Sequence, residues 1–379
     1  MASIDKRPTG KWRARWREYP GGPQRARHFT RKIDAERFLV DVEHRLLSGS
    51  YVPPAAGRMR VEDYTAEWME RRRAGWREAT AQRYEREMRL HVLPILGRWP
   101  LAAVRREHVE RWASELQLQP SSVAAVAQTL SAMFAAAVED GRLSSNPVSG
   151  ARLPQASKAP IVPLTGDEVR RFAAGAAEHV RAAVLVAAGT GLRQGELFGL
   201  AVDRIDFLRR ELRVDRQLWT PKRGPAVLAP PKSDNSYRTV AMSGIVADGL
   251  SAHLATFGAR SDGLVFHTPP GGMIVRAMAS TYARRAGIAS GLGCLVPVEG
   301  RDRMRYVGPG WHDLRHHHAS VLLSKGVSPA MVAERLGHDL KTLMRTYAHV
   351  IRQDDERVRA IVDATLGGDA EDWLRTETG

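Results

Sequence analysis

The stretch WHDLRHHHASVLL, residues 311–323, decides the fold of the second half of the chain. Its last residues are apolar, and Val321, Leu322 and Leu323 predict a helix that is buried behind them. His312 and Arg315 lie three residues apart, so they project from one side of the start of this helix. The segment therefore predicts a buried helix that presents an imidazole and a guanidinium together.

His312 and His316 also have the spacing of two metal ligands on one helix. The zinc motif with this spacing carries a glutamate between its histidines, His-Glu-x-x-His, and that glutamate is missing here. No cysteine stands nearby to complete a ligand set. A metal pair is the weaker interpretation, and we expect no metal site.

The chemistry continues downstream, where Ser328 and Pro329 predict a helix start and Gly337 predicts its end. His338, in LGH, precedes Tyr347, in TYAHV, by nine residues. A tyrosine without other context would be a core residue with a satisfied hydroxyl.

Two further motifs lie upstream. In TGLRQGEL, residues 190–197, Arg193 and Glu196 can share a helix face, so that the carboxylate orients the guanidinium; a surface ion pair is the alternative. Strand-like alternation in RIDFLRRELRV and in AVLAPPKSDNSYRTVAM predicts a hairpin with Lys232 at its tip. A lone lysine in such a turn is ordinarily exposed and inert.

These scattered residues form one chemical set, the set that transfer of a phosphodiester through a tyrosine requires. Two guanidiniums can clamp the non-bridging phosphate oxygens, and a lysine and two histidines can move protons. The order Arg, Lys, His-x-x-Arg, His, Tyr resembles the tyrosine recombinase family, the phage-integrase type of site-specific DNA recombinase. Its members here are Arg193, Lys232, His312, Arg315, His338 and Tyr347.

The resemblance implies a role for each residue. Tyr347 attacks a DNA phosphate, Arg193 and Arg315 stabilise the charge on its oxygens, and His338 adds a hydrogen bond. Glu196 orients Arg193. Because tyrosine has a pKa of about 10, attack near neutrality needs a proton acceptor, for which His312 is the candidate. Lys232 protonates the leaving hydroxyl. No cofactor is expected, since the arginines supply the charge that Mg²⁺ provides elsewhere.

The front of the chain, residues 1–57, predicts a small sheet followed by a helix. In KWRARWR, alternation puts Trp12, Ala14 and Trp16 on one face and arginines on the other, QRARHFT predicts a second strand, and an apolar series from Ile33 to Leu46 predicts a helix. This resembles the arm-binding domain of many phage integrases, and a solvated edge hairpin is the alternative. The expected DNA contacts are Arg13, Arg15, Arg17, Arg25 and Arg27.

Residues 58–150 predict four helices, which resemble the core-binding domain of the same family. The second should end before Pro94, and the fourth should begin at Ser121 or Ser122 as its N-cap. A proline-rich linker over 151–162 and a catalytic domain over 163–379 complete the organisation. The predicted fold class is thus multidomain: a sheet-plus-helix front, an all-α core-binding domain, and a mainly α catalytic domain with a small antiparallel sheet.

Two segments depart from the minimal family pattern. The Gly-rich insertion GIASGLGCLVPVEGRDRMRYVGPG, residues 287–310, predicts a loose surface loop, with DNA contact through Arg301, Arg303 and Arg305 as the alternative. After Tyr347, an amphipathic stretch ends in the acidic GGDAEDWLRTETG. In the family such a tail docks on a neighbouring subunit, whereas packing on its own domain is equally open.

Composition agrees with a DNA-acting protein. A formal charge of +15 and a pI near 10.4 indicate a polyanionic partner, nucleic acid or an anionic membrane. We expect no apolar run long enough to span a bilayer, and the first residues lack the apolar core of a signal peptide. Cys294 is the sole cysteine, which suits a reducing bacterial cytoplasm.

The sequence therefore predicts an integrase that acts on double-stranded DNA at core and arm attachment sites. Synapsis would require a homotetramer, with a directionality factor or DNA-bending protein as further partners. A type IB topoisomerase and a chromosome-dimer resolvase share the chemistry but do not need the basic front domain. A DNA-binding regulator without activity has no reason to carry the complete set.

Overall fold

The structure is a computed structural model that describes residues 2–19, 21–47, 51–53, 56–155, 161–221, 224–231, 233–298, 300–351 and 355–367. The chain divides into two compact units, Met1–Lys158 and Ala159–Gly379. The first contains a small sheet and a helical layer, and the second is mainly helical with small antiparallel sheets. The predicted fold class is confirmed.

The front of the first unit is a three-stranded antiparallel sheet packed on one helix. Its elements are β1 (Ser3–Lys6), β2 (Trp12–Arg17), β3 (Gln24–Phe29) and α1 (Lys32–Leu47). Ala14 and Trp16 are buried against Leu39 and Val42, as the alternation predicts, whereas Ile33 is exposed. The short strand β1 was not predicted, because SIDK carries no apolar alternation.

The five arginines proposed to contact DNA lie on both faces of this sheet. Arg27 lies opposite Ala14, and Arg25 opposite Trp16, so these two arginines share the face that packs on α1. Arg13 and Arg15 lie on the other face and pair with Asp5 at 2.9 and 3.3 Å. Arg25 pairs with Glu18, and the Arg27 guanidinium lies 5.0 Å from the ring centre of Phe38. Of these five arginines, the three on β2 lie on the outer face and the two on β3 on the inner one.

Helices account for the rest of the first unit. They are α2 (Val61–Arg72), α3 (Glu78–Glu87), α4 (Leu93–Leu96), α5 (Arg106–Glu115) and α6 (Pro120–Glu139). The predicted end before Pro94 is wrong, because a π-helical turn over Met88–Val92 joins α3 to α4. Pro94 follows this turn, in the first turn of α4. The N-cap of α6 is Gln119, with Pro120 first in the helix, rather than a serine.

Helix α6 corrects a second expectation. By length and composition it is apolar enough to cross a membrane, and it is the one such helix among the described residues. Its apolar side chains, including Val126, Leu130 and Phe134, are buried in the core of the helical layer. Alanines between them let the neighbouring helices approach closely.

The second unit begins with three helices and continues through short strands. Its helices and strands, up to the insertion, are α7 (Gly166–Gly175), α8 (Glu178–Thr190), α9 (Gln194–Phe198), β4 (Ile205–Asp206), β5 (Glu211–Val214), β6 (Gln217–Trp219), β7 (Val227–Ala229), β8 (Arg238–Ala241), α10 (Gly244–Phe257) and α11 (Arg276–Ala289). Thr165 Oγ1 accepts a hydrogen bond from the Glu168 N–H, and the Thr165 N–H donates to the Glu168 carboxylate, which is the capping box that starts α7.

The hairpin predicted around Lys232 is wrong. Strand β7 pairs with β6, and β8 pairs with β5. The two strands before and after Lys232, β7 and β8, therefore belong to different sheets. Strands of three or four residues carry too little alternation to fix their partners. Lys232 itself lies outside the described residues.

The insertion folds as an antiparallel hairpin of β9 (Cys294–Val298) and β10 (Arg301–Val307), so the predicted loose loop is wrong. Tyr306 fixes its base: the hydroxyl donates to Pro309 O at 3.0 Å, and the ring lies against Gly287 and Gly293, where a Cβ would collide with it. Arg303 and Arg305 are exposed.

Four helices close the second unit: α12 (Trp311–Ser324), α13 (Pro329–Leu336), α14 (Leu340–Ile351) and α15 (Asp355–Leu366). Trp311 and Leu314 are buried and anchor α12, whereas Val321 is exposed, so the predicted role of Val321 is wrong. Ser328 caps α13 by accepting from Met331 N–H, and left-handed Gly337 ends it, as predicted. The apolar side chains of α15 are exposed, and the acidic end lies outside the described residues.

Candidate active site

Arg193 occupies the N-cap position of α9, two residues after the left-handed Gly191 that ends α8. Its backbone N–H and its Nη1 both donate to the Glu196 carboxylate, at 2.9 and 2.8 Å. Its Nη2 donates to Gly337 O at 2.6 Å. The predicted pairing of Arg193 with Glu196 is therefore present. The further bond to Gly337 O holds the guanidinium at the end of α13.

Arg315 is held by backbone carbonyls rather than by a carboxylate. Its Nη1 donates to Gly191 O at 2.6 Å and its Nη2 to Leu336 O at 2.7 Å. The residue is only 1% exposed. Its pKa is lowered to about 9, mainly by burial and to a lesser extent by repulsion from the charge of Arg193. The guanidinium therefore remains a cation at neutral pH, although it has no direct anionic partner among the described residues.

His338 follows Gly337 and lies close to both arginines. Burial is the main cause that lowers its pKa to about 4, and the charges of Arg315 and Arg193 act in the same direction. The imidazole is therefore neutral near pH 7 and can donate one hydrogen bond. Within the described part of the chain, His338 Nδ1 and Arg315 Nε are buried polar atoms without a hydrogen-bond partner. Such atoms can serve an incoming phosphate.

Tyr347 lies on α14, 1% exposed, in a cluster with Ala319, Leu336 and Leu343. Its hydroxyl is 2.6 Å from His316 Nδ1. Burial raises the pKa of Tyr347 to about 12, and the positive charge of Arg315 opposes this rise. The tyrosine thus meets an imidazole, but it is not the one that the sequence indicated.

His316 and His312 are stacked edge to face, with ring centres 4.5 Å apart. Burial lowers the pKa of His316 to about 4 and, with the charge of Arg315, also lowers the pKa of His312. Both rings are neutral near pH 7, so either has a nitrogen able to accept a proton. The sequence placed His316 only in the weaker metal alternative, although the run of three histidines after Arg315 was a visible signal.

Sequence reasoning also missed Arg238, which donates to both oxygens of Glu196, at 3.2 and 2.8 Å. Glu196 therefore serves two arginines. Burial raises its pKa, but the hydrogen bonds and charges of Arg238 and Arg193 outweigh this effect and the net shift is downward. The RTV that follows PKSDNSY was the available signal.

Comparisons with known proteins agree with this arrangement. Residues 163–354 match the model of the phage integrase family, and residues 61–153 match that of the phage integrase central domain. An integrase of Mycobacterium phage FRAT1 is 27% identical over 345 residues, covering 86% of this chain and 96% of the relative.

Two solved structures share the fold. The Tn1549 transposon integrase in complex with transposon right end DNA has a TM-score of 0.69 at 21% identity, covering 82% of this chain and 100% of that chain. A lambda integrase dimer bound to a COC′ core site has a TM-score of 0.56 at 18% identity, covering 90% and 93%. Since the family model spans more than half of the sequence, the chain belongs to the phage integrase family, tyrosine recombinases that transfer DNA strands.

Proposed function

We propose that this protein is a site-specific DNA recombinase that integrates and excises a phage or mobile element through a 3′-phosphotyrosyl intermediate. One observation carries the proposal. The guanidiniums of Arg193 and Arg315 donate hydrogen bonds to the consecutive carbonyls of Gly337 and Leu336, directly before His338 in the chain. Arginines so oriented match the non-bridging oxygens of a phosphodiester.

In the proposed reaction Tyr347 Oη attacks a DNA phosphorus in line, and the bond from phosphorus to the 5′ oxygen breaks. Arg193 and Arg315 stabilise the charge on the phosphoryl oxygens, and His338 donates a hydrogen bond to one of them. Lys232 gives a proton to the leaving 5′ oxygen. A 5′-hydroxyl of the partner strand then attacks the phosphotyrosine, which restores a DNA phosphodiester and frees the tyrosine.

For the proton of Tyr347 we propose His316 as the acceptor, in place of His312. The support is the 2.6 Å contact between the hydroxyl and His316 Nδ1. An imidazole with a pKa near 4 is a weak base for a tyrosine with a pKa near 12. An arriving phosphate, being negative, raises the pKa of both groups, so it does not by itself bring the two values together. The proton must therefore leave the tyrosine as its oxygen forms the bond to phosphorus.

We expect His316→Ala to slow strand cleavage by about a hundredfold, because loss of a general base costs this much or more. Cleavage is measured on a nicked suicide substrate and on a copy with a sulfur at the bridging 5′ position, a leaving group that needs no proton. His316→Ala should be slow on both substrates, whereas Lys232→Ala should recover on the sulfur substrate. Full activity of His316→Ala beside an inactive His312→Ala would return the role to His312.

We also propose that the partners are core and arm attachment sites in double-stranded DNA and three further copies of the chain. The exposed apolar side chains of α15, Val358, Ile361 and Leu366, support docking of this helix on a neighbouring subunit. A directionality factor or DNA-bending protein would choose between integration and excision.

Residues 1–57 test the distinction between an integrase and a simpler recombinase. If they form an arm-binding domain, their deletion should leave cleavage of a core-site substrate largely intact while integration between two full attachment sites collapses. Footprinting should lose protection only at the flanking arm sites. Circular dichroism of the truncated protein controls for folding.

Full integration by the truncated protein would reduce the basic front to a nonspecific tether. The same assay on supercoiled plasmid separates a topoisomerase, which would relax the DNA without exchanging strands. Candidate attachment sites come from the DNA beside the gene, where phage genes and a repeat matching a tRNA gene are expected.

A further inference from the structure

We propose that Arg238 is a positioning residue for strand cleavage, which sets the places of the Arg193 and Arg315 guanidiniums without touching the DNA. The proposal rests on the function proposed above for those two arginines. Arg238 donates hydrogen bonds to two groups. One is the Glu196 carboxylate, which holds Arg193, and the other is the end of α13, whose carbonyls accept from both arginines.

The contacts of Arg238 reach three elements. From β8, its Nη2 and Nη1 donate to Glu196 on α9, at 2.8 and 3.2 Å. Its Nε donates to Arg335 O on α13 at 2.7 Å, and Nη1 also reaches Ser236 O at 3.0 Å. The side chain is 5% exposed and that of Glu196 is 3% exposed. Arg238 is therefore enclosed by protein rather than presented to a ligand.

Three consecutive carbonyls at the end of α13 accept from three arginines. Arg335 O receives Arg238, Leu336 O receives Arg315, and Gly337 O receives Arg193. The last carbonyls of a helix have no donor within the helix and carry its negative dipole end, so they hold cations well. Because the three acceptors are adjacent, any shift of this end moves both phosphate-binding arginines and His338 together.

Gly337 makes this arrangement possible. Its φ of +62° turns the chain out of α13, and a Cβ there would lie 2.8 Å from Asn235 O and 3.2 Å from Arg238 Nη1. The Gly337 backbone therefore lies directly against Asn235 and Arg238, with no room for a side chain between them. A shorter side chain at position 238 would leave Glu196 and Arg335 O without this donor.

The pH dependence of cleavage can distinguish the proposed role of Arg238 from a simple loss of packing, because Arg238 acts on the charge of Glu196. The charged groups acting on this buried carboxylate are Arg193, Arg238 and, through space, Arg315. Burial raises its pKa, and Arg238 is the foremost group that lowers it. Activity that needs the carboxylate is lost as pH falls through this pKa. Without Arg238 the pKa rises, so the loss should begin at a higher pH.

The experiment uses the full-length chain with Arg238→Gln, Arg238→Lys and, as matched control, Arg213→Gln on the neighbouring strand β5. Single-turnover cleavage of a suicide substrate is measured between about pH 5.5 and 9, with DNA binding and thermal unfolding in parallel. Arg238→Gln should cleave about a hundredfold more slowly at neutral pH, as expected for reacting groups displaced by about 1 Å. Binding should change little. A loss of rate should appear at the acid end of this pH range, where the wild type should show none because its Glu196 pKa is held below the ordinary carboxyl value. Arg213→Gln should match the wild type.

Arg238→Lys separates charge from geometry. One ammonium keeps the pKa of Glu196 low but cannot bond Glu196 and Arg335 O in the same way. The rate should therefore fall at every pH, with no added loss at the acid end of the range. A wild-type rate for Arg238→Lys, or a pH-independent loss in Arg238→Gln that parallels its melting temperature, would overturn the proposal. Arg193→Ala separates this proposal from the function proposed above. If Arg193→Ala cleaves at the wild-type rate, the assignment of Arg193 to the phosphate clamp is wrong, and the fault lies there rather than in the role of Arg238.

Discussion

Replacing Tyr347 with phenylalanine should abolish the covalent protein–DNA complex and leave DNA binding intact. Only the hydroxyl is removed, and the ring keeps its packing against Leu336 and Leu343. The one hydrogen bond lost is that to His316 Nδ1, on a ring that is itself partly exposed to solvent. The nucleophilic oxygen has no substitute in phenylalanine, so the expected loss is complete.

The measurement is covalent trapping on a nicked suicide site, read on a denaturing gel. A gel shift under native conditions gives the binding control. Tyr306→Phe is the matched variant, since it removes a hydroxyl from a tyrosine that pins the β9–β10 hairpin and should still form the complex. A persistent covalent band in Tyr347→Phe would move the nucleophile to another residue.

Removal of either clamp arginine should reduce cleavage by about a hundredfold or more, which corresponds to about 3 kcal/mol of transition-state stabilisation. Arg193→Ala is the cleaner variant, because Arg193 is partly exposed, at 32% of its side chain. Arg315→Ala also leaves Gly191 O and Leu336 O buried without their donor, and each such group costs about 1–3 kcal/mol of folding free energy.

Lysine at either position tests the geometry. It keeps the positive charge but cannot present two parallel N–H groups, so it should rescue cleavage poorly. Thermal unfolding of each variant separates a fold defect from a chemical one. Cleavage by the wild type should be unchanged in EDTA, and a Mg²⁺ requirement in the chemical step would contradict the proposed clamp.

Short-range features of the sequence predicted the fold best. Helix α12 and the N-cap and C-cap of α13 rest on spacings of three to nine residues, and all are present. Errors came where the structure depends on distant partners. The pairing of β7 and β8 with other strands is such a case. The π-helical turn before Pro94 was missed for a local reason, because helical periodicity does not show where a turn widens.

The candidate site shows the same division. The bond between Arg193 and Glu196 spans three residues and was predicted from spacing. The contact of Tyr347 with His316 spans 31 residues, and that of Arg238 with Glu196 spans 42. No local pattern states which of three adjacent histidines will meet a tyrosine on another helix. That choice is made by the packing of α12 against α14, which periodicity leaves undetermined.

The buried Arg315 has a consequence for the free protein. Among the described residues its guanidinium donates to two backbone carbonyls and to no carboxylate. Glu196, which acts on it through space, already serves Arg193 and Arg238. Within the part of the chain that the structure describes, Arg315 thus has no counterion of its own, and a DNA phosphate has the charge to fill that place. By mass action, a ligand that binds only the folded form stabilises it. Substrate and fold are then linked, so the protein gains its full stability only when it holds the strand it cuts.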